Sequence, residues 1–348
     1  MADIRYLKAE ILEAAAAAIL VARGVPVEDA RLVAEALVAA DLRGIDTHGV
    51  ACLPDYADAL EAGRIAAKPA MTVAHRLPWA ATLDAGNGLG PLAAAKGMAL
   101  VLEAASVYGI GAAAIRRSNH FGAAGVYAAR AAADGCVGIV AANASCVAAP
   151  HGAKAPLLGT NPLAIAIPAG TRPPLVLDMA TSEGSRKKVR KALKEGRTIP
   201  AGWALDADGR PTTDPDAALK GVMLPFGGAK GSGLSLIVDV LSGVLSGAEF
   251  GGRVLSVTTN TERESGNGHF MLAFKVSAFM TETDFAARMA DELSRLAALP
   301  PADGFAAVTY PGERSGEKLA KRRAGGIPVP ADLLDKLIAL GGGTVLSG

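Results

Sequence analysis

Cysteine, aromatic residues and net charge are all scarce in this sequence of 348 residues. The three cysteines (Cys52, Cys136 and Cys146) are an odd number without CxxC or Cys/His ligand spacing, which argues against a disulfide framework and a structural zinc site. The 35 basic and 34 acidic side chains nearly cancel, so no overall field concentrates nucleic acid or an anionic membrane. We therefore expect small-molecule chemistry, with no nucleic-acid or membrane partner.

Targeting and membrane-spanning patterns are also lacking. The apolar run near the N-terminus is flanked by Lys8, Glu10 and Glu13 and is followed by no cleavage site, which indicates an amphipathic helix rather than a signal peptide. No stretch reaches the roughly 20 uncharged apolar residues that a membrane span needs. We expect a cytoplasmic protein.

What the sequence does have is hydrophobic content, 51% of its residues, arranged in two kinds of pattern. Before residue 70, apolar residues recur at helical spacing and predict helices over 5–22, 27–42 and 53–62. Beyond it, short apolar runs alternate with helical patterns. The predicted strands lie near 71–75, 80–84, 112–116, 137–143, 163–169, 175–180 and 269–276. The predicted helices lie over 90–109, 126–135, 185–195, 233–247, 282–298 and 330–340, with a loop-rich segment over 196–231. The sum is an α+β (mixed α/β) fold.

Two glycine-rich segments invite a nucleotide-binding interpretation. GLGPLA (88–93) matches the spacing of a dinucleotide fingerprint, but no Asp or Glu follows about 20 residues on, and Pro91 fits the first turn of a helix. GGAKGSG (227–233) lacks the residue order of a phosphate loop, although it combines Lys230 with a helix N-terminus, which suits phosphate. A Rossmann fold is therefore not expected.

Two of the five histidines stand where catalytic side chains are often mounted. His48 follows a predicted helix in Asp46-Thr47-His48-Gly49, and His120 follows a predicted strand in the SNHFG segment (118–122). Capping of a helix or turn is the alternative explanation. The other three, which we interpret as structural, are His75, His151 and His269. No pair has the HxxxH or HExxH spacing of a metal site, so no metal is expected.

Taken together, seven ordered motifs resemble the malate/L-lactate dehydrogenase family. That family includes malate, sulfolactate and ureidoglycolate dehydrogenases, diketogulonate reductase and the piperideine-2-carboxylate/pyrroline-2-carboxylate reductases. The motifs are DLRGIDTHGV (41–50), RRSNHFGAAGVYA (116–128), LLGTNPLAIAIPA (157–169), LDMATS (177–182), IPAGWALDADGRPTTDP (199–215), PFGGAKGSGLSLIVDVLSG (225–243) and PGERSGE (311–317).

The resemblance implies a homodimer of two-domain chains. A helical domain of residues 1–70, completed by C-terminal helices of about 282–348, packs on an NAD(P)-binding domain of residues 71–281 with a largely antiparallel, non-Rossmann sheet. The cofactor is NAD(H) or NADP(H), a choice that the sequence leaves open. The residues that the resemblance assigns to the cofactor are His120, Phe121, Gly122, Ala123, Ala124, Asp178, Met179, Ala180, Lys230, Gly231, Pro311, Gly312, Glu313 and Arg314.

The implied reaction is hydride transfer that interconverts a small 2-hydroxy acid, similar to malate, lactate or sulfolactate, and its 2-oxo acid. Histidine suits the accompanying proton transfer because it titrates near neutral pH. The resemblance assigns acid/base catalysis to His48, oriented by Thr47, and binding of the substrate heteroatom to His120, with the two roles exchangeable. It makes Thr160 a substrate-side hydrogen-bond donor. The alternative activity is NADPH-dependent reduction of cyclic imino acids.

Two departures from the family pattern bear on the substrate. Cys52 stands where many members carry an arginine that grips a carboxylate, a contact that a neutral thiol does not replace. Either Arg43, Arg116 or Arg117 takes over the carboxylate, or the substrate differs from malate. A cofactor-binding protein without catalysis is a third interpretation. The basic triplet at 186–188 replaces an acidic residue of some imine reductases and is either a solvated helix face or a site for the 2′-phosphate of NADP.

Overall fold

The computed structural model describes residues 4–257, 259–260 and 264–346. The helices of this part are α1 (Ala9–Val21), α2 (Val27–Leu42), α3 (Leu53–Glu61), α4 (Gly90–Tyr108), α5 (Ala124–Ala133), α6 (Arg186–Lys194), α7 (Pro215–Lys220), α8 (Ala229–Asp239), α9 (Glu282–Ala297), α10 (Glu313–Gly325), α11 (Ala331–Leu337) and α12 (Gly343–Leu346). Its strands are β1 (Ile4–Leu7), β2 (Thr72–Leu77), β3 (Ala80–Asp84), β4 (Ile110–Ser118), β5 (Cys136–Ala142), β6 (Leu163–Ile167), β7 (Leu175–Met179), β8 (Ala204–Leu205), β9 (Pro211–Thr212), β10 (Val222–Met223), β11 (Asn267–Lys275) and β12 (Ile327–Pro330).

The first core is helical. Buried apolar side chains of α1, α2 and α3 pack with Ile327 and Val329 of β12 and with Leu334 and Leu337 of α11. The prediction of a helix from residue 5 was wrong for its first turn, because Ile4–Leu7 pairs as β1 with β12 and α1 begins at Ala9. Local periodicity does not reveal a strand whose partner is at the other end of the chain.

The second core lies between a seven-stranded sheet and two helices. The strand order is β2-β3-β4-β11-β5-β6-β7, and among the described residues the pairs are antiparallel except β3–β4. Helices α4 and α5 cover this sheet, and the core between them is rich in alanine. The mixed α/β fold class and the non-Rossmann sheet are therefore confirmed. GLGPLA is the glycine turn that enters α4, with Pro91 in the first turn, as predicted.

The segment expected to be loop-rich builds a small unit of its own. It contains α7 and the three-stranded sheet β10-β8-β9, which enclose a third core with α6. Asp214 caps α7 through its side chain and Pro215 occupies the first turn, a helix start signal that resembles a turn because six residues are too few for periodicity. Helix α8 begins at Ala229, four residues before the predicted start.

The C-terminal helices α9 and α11 pack in different places. Leu293 of α9 packs near the sheet against Ala169 and Tyr310, whereas α11 joins the helical core. Helix α10 was not predicted, because its polar sequence lacks an apolar stripe and buries no residue fully. The division into domains at residues 70 and 282 stays a prediction.

Helix α4 is long and apolar enough to cross a membrane by length and composition alone. However, 56% of its apolar window is buried inside the protein, as expected for the core helix of the second core.

Candidate active site

A cavity of about 370 Å³ opens at the strand ends on one side of the seven-stranded sheet. Strands β4, β5 and β7 end there, and β6 and β11 begin there, so the loops at their ends converge. The cavity is lined by Ile45, His48, Asn119, His120, Phe121, Gly122, Ala123, Ala124, Ala142, Asn143, Ala144, Ser145, Thr160, Pro162, Asp178, Met179, Ala180, Leu255, Val257, Asn267 and His269.

His48 lies in a short 3-10 turn (Asp46–His48) just after α2. The turn is attached to the helical core by Asp41, whose buried carboxylate accepts a 2.9 Å hydrogen bond from the Val50 amide. Glycine is required at position 49, where the chain passes close to Asp41 of α2, because a Cβ there would lie 2.0 Å from Asp41 Oδ1. Arg322 of α10 ties the same loop down by contacting the Asp41 carbonyl and the Asp46 carboxylate. The histidine loop is thus held from two sides.

His120 lies at the end of β4, and its loop is pinned against the start of α4. Asn119 donates to Asn87 Oδ1 (3.0 Å) and to the Gly88 carbonyl (2.9 Å). The backbones approach so closely that a Cβ on Gly90 would lie 2.2 Å from the His120 carbonyl oxygen. The glycines of the apparent dinucleotide fingerprint therefore serve a close contact between α4 and the His120 loop.

The two histidine rings stack on each other in the wall of the cavity. Their centroids are 5.7 Å apart and their planes are inclined by 28°. Thr47 Oγ1 lies 2.9 Å from His48 Nδ1, and Tyr56 Oη lies 2.8 Å from His120 Nδ1. Because each ring is held through Nδ1, and no hydrogen bond from the described residues engages Nε2, the Nε2 atoms are the ones that remain for a ligand.

Burial keeps both rings neutral. It lowers the pKa of His48 to about 4, with the nearby Lys187 ammonium adding to the effect. It lowers the pKa of His120 to about 3, assisted by His48 and Lys187. The sequence suggests titration near neutral pH, but desolvation of the imidazolium form moves it to acid pH.

The Tyr56 hydroxyl allows His120 to be either a donor or an acceptor. It lies 3.1 Å from the His120 carbonyl oxygen as well as 2.8 Å from Nδ1. If the hydroxyl donates to the carbonyl, its oxygen accepts from Nδ1–H and Nε2 is an acceptor; if it donates to Nδ1, Nε2 carries the proton. Rotation of one buried hydroxyl therefore accompanies a change of tautomer.

Two of the four segments assigned to the cofactor lie in the cavity wall, and a third contacts the edge strand β7. Asp178, Met179 and Ala180, at the end of this strand, line the cavity, as do residues 120–124. Asp178 Oδ2 accepts a 2.9 Å hydrogen bond from the Gly125 amide, which joins these two segments. The Pro311 turn lies alongside, with the Pro311 carbonyl 2.8 Å from the Val176 amide. Lys230 and Gly231 are in the first turn of α8, where Lys230 is exposed.

The backbone along this strand suits a dinucleotide. Gly122 and Gly312 have φ values of +80° and +96°, and a Cβ on Gly312 would lie 2.6 Å from the Val176 amide nitrogen, so both turns need glycine. Turns of this kind bring backbone amides close to phosphate oxygens. The residues present therefore fit a nicotinamide dinucleotide.

The residues assigned to the substrate occupy different places. Thr160 lines the cavity, and its carbonyl accepts from the Thr181 amide at 2.8 Å. Cys52 is buried in the helical core, with its Sγ 3.5 Å from the Thr47 carbonyl oxygen. Arg116 forms a 3.1 Å ion pair with Asp84 and is not among the lining residues. The structure therefore brings Thr160 to the two histidines but not Arg116.

The basic triplet at the start of α6 has three separate environments. Arg186 donates to the Leu219 and Gly221 carbonyls, and the Lys188 ammonium lies 5.8 Å from the centroid of the Trp203 ring. Lys187 points the other way and donates to the Thr47 carbonyl at 3.0 Å. The sequence interpretation, which treated the triplet as one site, did not foresee a lysine beside His48.

Two further site residues were missed. His48, Cys52 and Tyr56 are spaced four residues apart, as on one side of a helix. This spacing was the signal in the sequence that could have placed Tyr56 near the histidine loop. His269, interpreted as structural from sequence, lines the cavity, where its ring stacks on Phe121 at 4.5 Å and its Nε2 lies 2.8 Å from Ser118 Oγ. No local pattern marks it, because only the pairing of β11 with β4 brings it there.

Candidate metal ligands do not gather in the described part of the chain. Within it, no group of three His, Cys, Asp or Glu side chains is placed to hold a metal ion.

Comparison with known proteins gives a match along nearly the whole chain. The family described as malate/L-lactate dehydrogenase matches residues 7–338. L-Sulfolactate dehydrogenase of Methanocaldococcus jannaschii is 40% identical over 302 residues, 87% of each chain. The NADP(+)-dependent (2R)-3-sulfolactate dehydrogenase of Chromohalobacter salexigens is 40% identical over 277 residues, 79% of this chain and 82% of its own. The NAD(+)-dependent ureidoglycolate dehydrogenase of Escherichia coli K12 is 35% identical over 316 residues, 91% of this chain and 90% of its own.

Solved structures agree with these matches. The M. jannaschii sulfolactate dehydrogenase superposes with a TM-score of 0.89 and 38% identity, covering 97% of this chain and 96% of the other. The Δ1-piperideine-2-carboxylate reductase of Pseudomonas syringae superposes with a TM-score of 0.87 and 31% identity, covering 97% of this chain and all of the other.

Proposed function

The chain belongs to the malate/L-lactate dehydrogenase family and is an NAD(P)-dependent dehydrogenase, and on that premise we propose that it interconverts a small 2-hydroxy acid and its 2-oxo acid. The observation that carries the proposal is the pair of neutral histidines, 5.7 Å apart, in a cavity lined by Thr160 and by segments that fit the cofactor. Malate-, lactate- and sulfolactate-like acids are the substrates we propose.

The proposed roles follow from how the rings are held. His48, fixed at Nδ1 by Thr47, takes the hydroxyl proton during oxidation and returns it during reduction. His120 contacts the same oxygen and changes between donor and acceptor through Tyr56. Thr160, which lines the same cavity, offers a hydroxyl to the substrate.

A bound nicotinamide supplies or accepts the hydride at the carbon that bears this oxygen. The residues proposed to hold the dinucleotide are those of the loop at 120–124, the strand end at 178–180, Lys230 and Gly231, and the turn at 311–314. Backbone amides at the glycines, together with Lys230 and Arg314, offset the charge of the pyrophosphate.

Reduction of a cyclic imino acid is the second candidate, supported by the likeness to the P. syringae reductase. Both candidate substrates carry a carboxylate that the Lys187 ammonium beside His48 would attract, so this lysine favours the first candidate only through its repulsion of a protonated imine nitrogen.

The test is consumption of NADH and NADPH by the purified protein with pyruvate, oxaloacetate and sulfopyruvate and, separately, with cyclic imino acids. We expect turnover with at least one of the three oxo acids. Turnover with cyclic imino acids alone would reject the first candidate and support the second.

We also propose a cytoplasmic homodimer. Side chains of α8, of the π-helical turn that follows it (Val240–Val244) and of the next residue form an apolar face. Each of them is between 43% and 60% exposed: Leu236, Ile237, Val240, Val244 and Leu245. Exposed apolar faces of this kind are typical of subunit interfaces. Light scattering should give twice the chain mass of 35.1 kDa, and Ile237→Asp should shift it toward the monomer. A mass near 35.1 kDa for the wild type at micromolar concentration would reject the dimer.

A further inference from the structure

Lys187 reaches from the start of α6 to the loop that carries His48. Its Nζ donates to the Thr47 carbonyl at 3.0 Å, so the ammonium lies one residue from the proposed acid/base. Its positive charge reaches both histidines, since it contributes to the lowered pKa of His48 and of His120. Lys187 is not one of the residues that line the cavity, but its ammonium contacts the loop that presents His48 to the cavity.

Helix stability does not explain a lysine at this position. Lys187 is in the first turn of α6, where the helix dipole and the unpaired backbone amides favour negative charge. Its neighbours have structural contacts, because Arg186 donates to two carbonyls of the adjacent unit and Lys188 lies over Trp203. The Lys187 side chain instead extends away from the third core to the loop that carries His48.

The ammonium and the Cys52 thiol share one acceptor. Cys52 Sγ lies 3.5 Å from the same Thr47 carbonyl oxygen that Lys187 contacts at 3.0 Å, so the two groups are neighbours. The thiol carries no charge at neutral pH, because burial raises the pKa of Cys52 to about 11. Lys187 thus provides the positive charge at a place where position 52 provides none.

Two arginines that could bind an acid group are engaged elsewhere. Arg116 pairs with Asp84, and Arg117 pairs with Glu264 at 2.9 Å and with Asp84 at 3.5 Å. An ammonium has three donors, and the contact with Thr47 uses one of those of Lys187. Two donors remain on an exposed, flexible stem that is long enough to adjust to a ligand.

We infer that Lys187 binds the acid group next to the reacting carbon of the substrate, so that α6 supplies the charge that holds the substrate beside His48. This inference rests on the proposed function and names the residue that selects anionic substrates. It makes Lys187 a substrate-binding residue rather than a helix-surface lysine.

The test compares an acid with its neutral amide in Lys187→Met, which keeps the length of the side chain and removes its charge. With pyruvate, kcat/KM should fall about 10- to 100-fold, the effect of a lost charge-assisted hydrogen bond, chiefly through a higher KM. With pyruvamide it should stay within about twofold of the wild type. Lys187→Arg should retain most of the activity on the acid.

Lys191→Met is the matched control, one turn along the same helix, where Lys191 pairs with Glu195 at 3.8 Å; both substrates should be unaffected. Equal losses on acid and amide in Lys187→Met would overturn the inference, because they would show that Lys187 acts only by holding the Thr47 carbonyl. Unchanged kinetics on the acid would also overturn it while leaving the proposed function intact. A wild type that reduces none of pyruvate, oxaloacetate and sulfopyruvate would reject both.

Discussion

The hydroxyl of Tyr56 sits between two acceptors of a single residue, 2.8 Å from Nδ1 of His120 and 3.1 Å from its carbonyl oxygen. Tyr56 is fully buried, and its single hydroxyl proton can be donated to only one of the two atoms at a time. The atom that receives it determines which tautomer His120 presents to the cavity. A helix of the helical core thereby controls the chemistry of a residue mounted on the sheet.

Tyr56→Phe should lower kcat about tenfold, because it removes the hydrogen bond that fixes the His120 ring without changing the shape of the core. The matched control is Tyr127→Phe, which removes a hydroxyl that donates to the Phe121 carbonyl of the same loop at 2.6 Å but touches no ring nitrogen. Steady-state kinetics in the two variants should differ. A similar loss of kcat in both would mean that only the rigidity of the loop matters.

Substitution of each histidine by alanine should separate their roles. General acid/base catalysis contributes about 100- to 10,000-fold, whereas loss of a positioning hydrogen bond costs about tenfold. His48→Ala should therefore lose the larger factor in kcat and His120→Ala the smaller, while fluorescence titration with NAD(P)H shows nearly unchanged cofactor binding. The reverse order would exchange the assignments, and near wild-type turnover in both would refute the mechanism.

Stability should fall as the pH is lowered from about 6.5 to about 4. The folded-state pKa of His48 is lowered to about 4 and those of His120 and His269 to about 3, so in this window the unfolded chain binds up to three protons that the folded chain does not. Asp41 has the opposite effect. Burial raises its pKa to about 7, so in this window the folded chain binds one proton there that the unfolded chain does not.

Each uncompensated proton changes the free energy of unfolding by about 1.4 kcal/mol per pH unit. Urea unfolding at several pH values measures the slope, and His269→Gln, which cannot titrate, should reduce it by about one proton. A slope that is the same in this variant would show that His269 is not held neutral in the folded state.

Gly49→Ala should destabilise the protein by about 1–3 kcal/mol, because its Cβ would lie 2.0 Å from Asp41 Oδ1 and force the carboxylate or the histidine loop to move. Gly233→Ala is the control, a position inside α8 where a Cβ meets no atom within 4 Å and should stabilise by about 0.5–1 kcal/mol. Urea unfolding measures both. Equal stability of Gly49→Ala and the wild type would show that the Asp41 contact is not tight in solution.

Local sequence specifies the elements with strong periodic signals and the motifs that mark the site. Long periodic segments form α1, α2, α4 and α9, and apolar runs form the strands β5, β6 and β7, because these patterns act over neighbouring residues. The histidine motifs and the strand-end residues at 178–180 carry their chemistry in local sequence. Residues 48, 120, 160 and 178, named from the histidine motifs and from the family resemblance, all line the cavity, and their roles stay predictions.

Contact between distant segments is decided by the tertiary structure. The pairing of β1 with β12, the place of His269 beside Phe121, the hydrogen bond from Tyr56 to His120 and the reach of Lys187 to the His48 loop each join residues that are far apart in the chain or belong to different cores. The pKa values of the histidines belong here as well, since desolvation is a property of the assembled cavity rather than of any motif. The order of residues specifies which groups are present, and packing alone specifies which of them meet and in which protonation state.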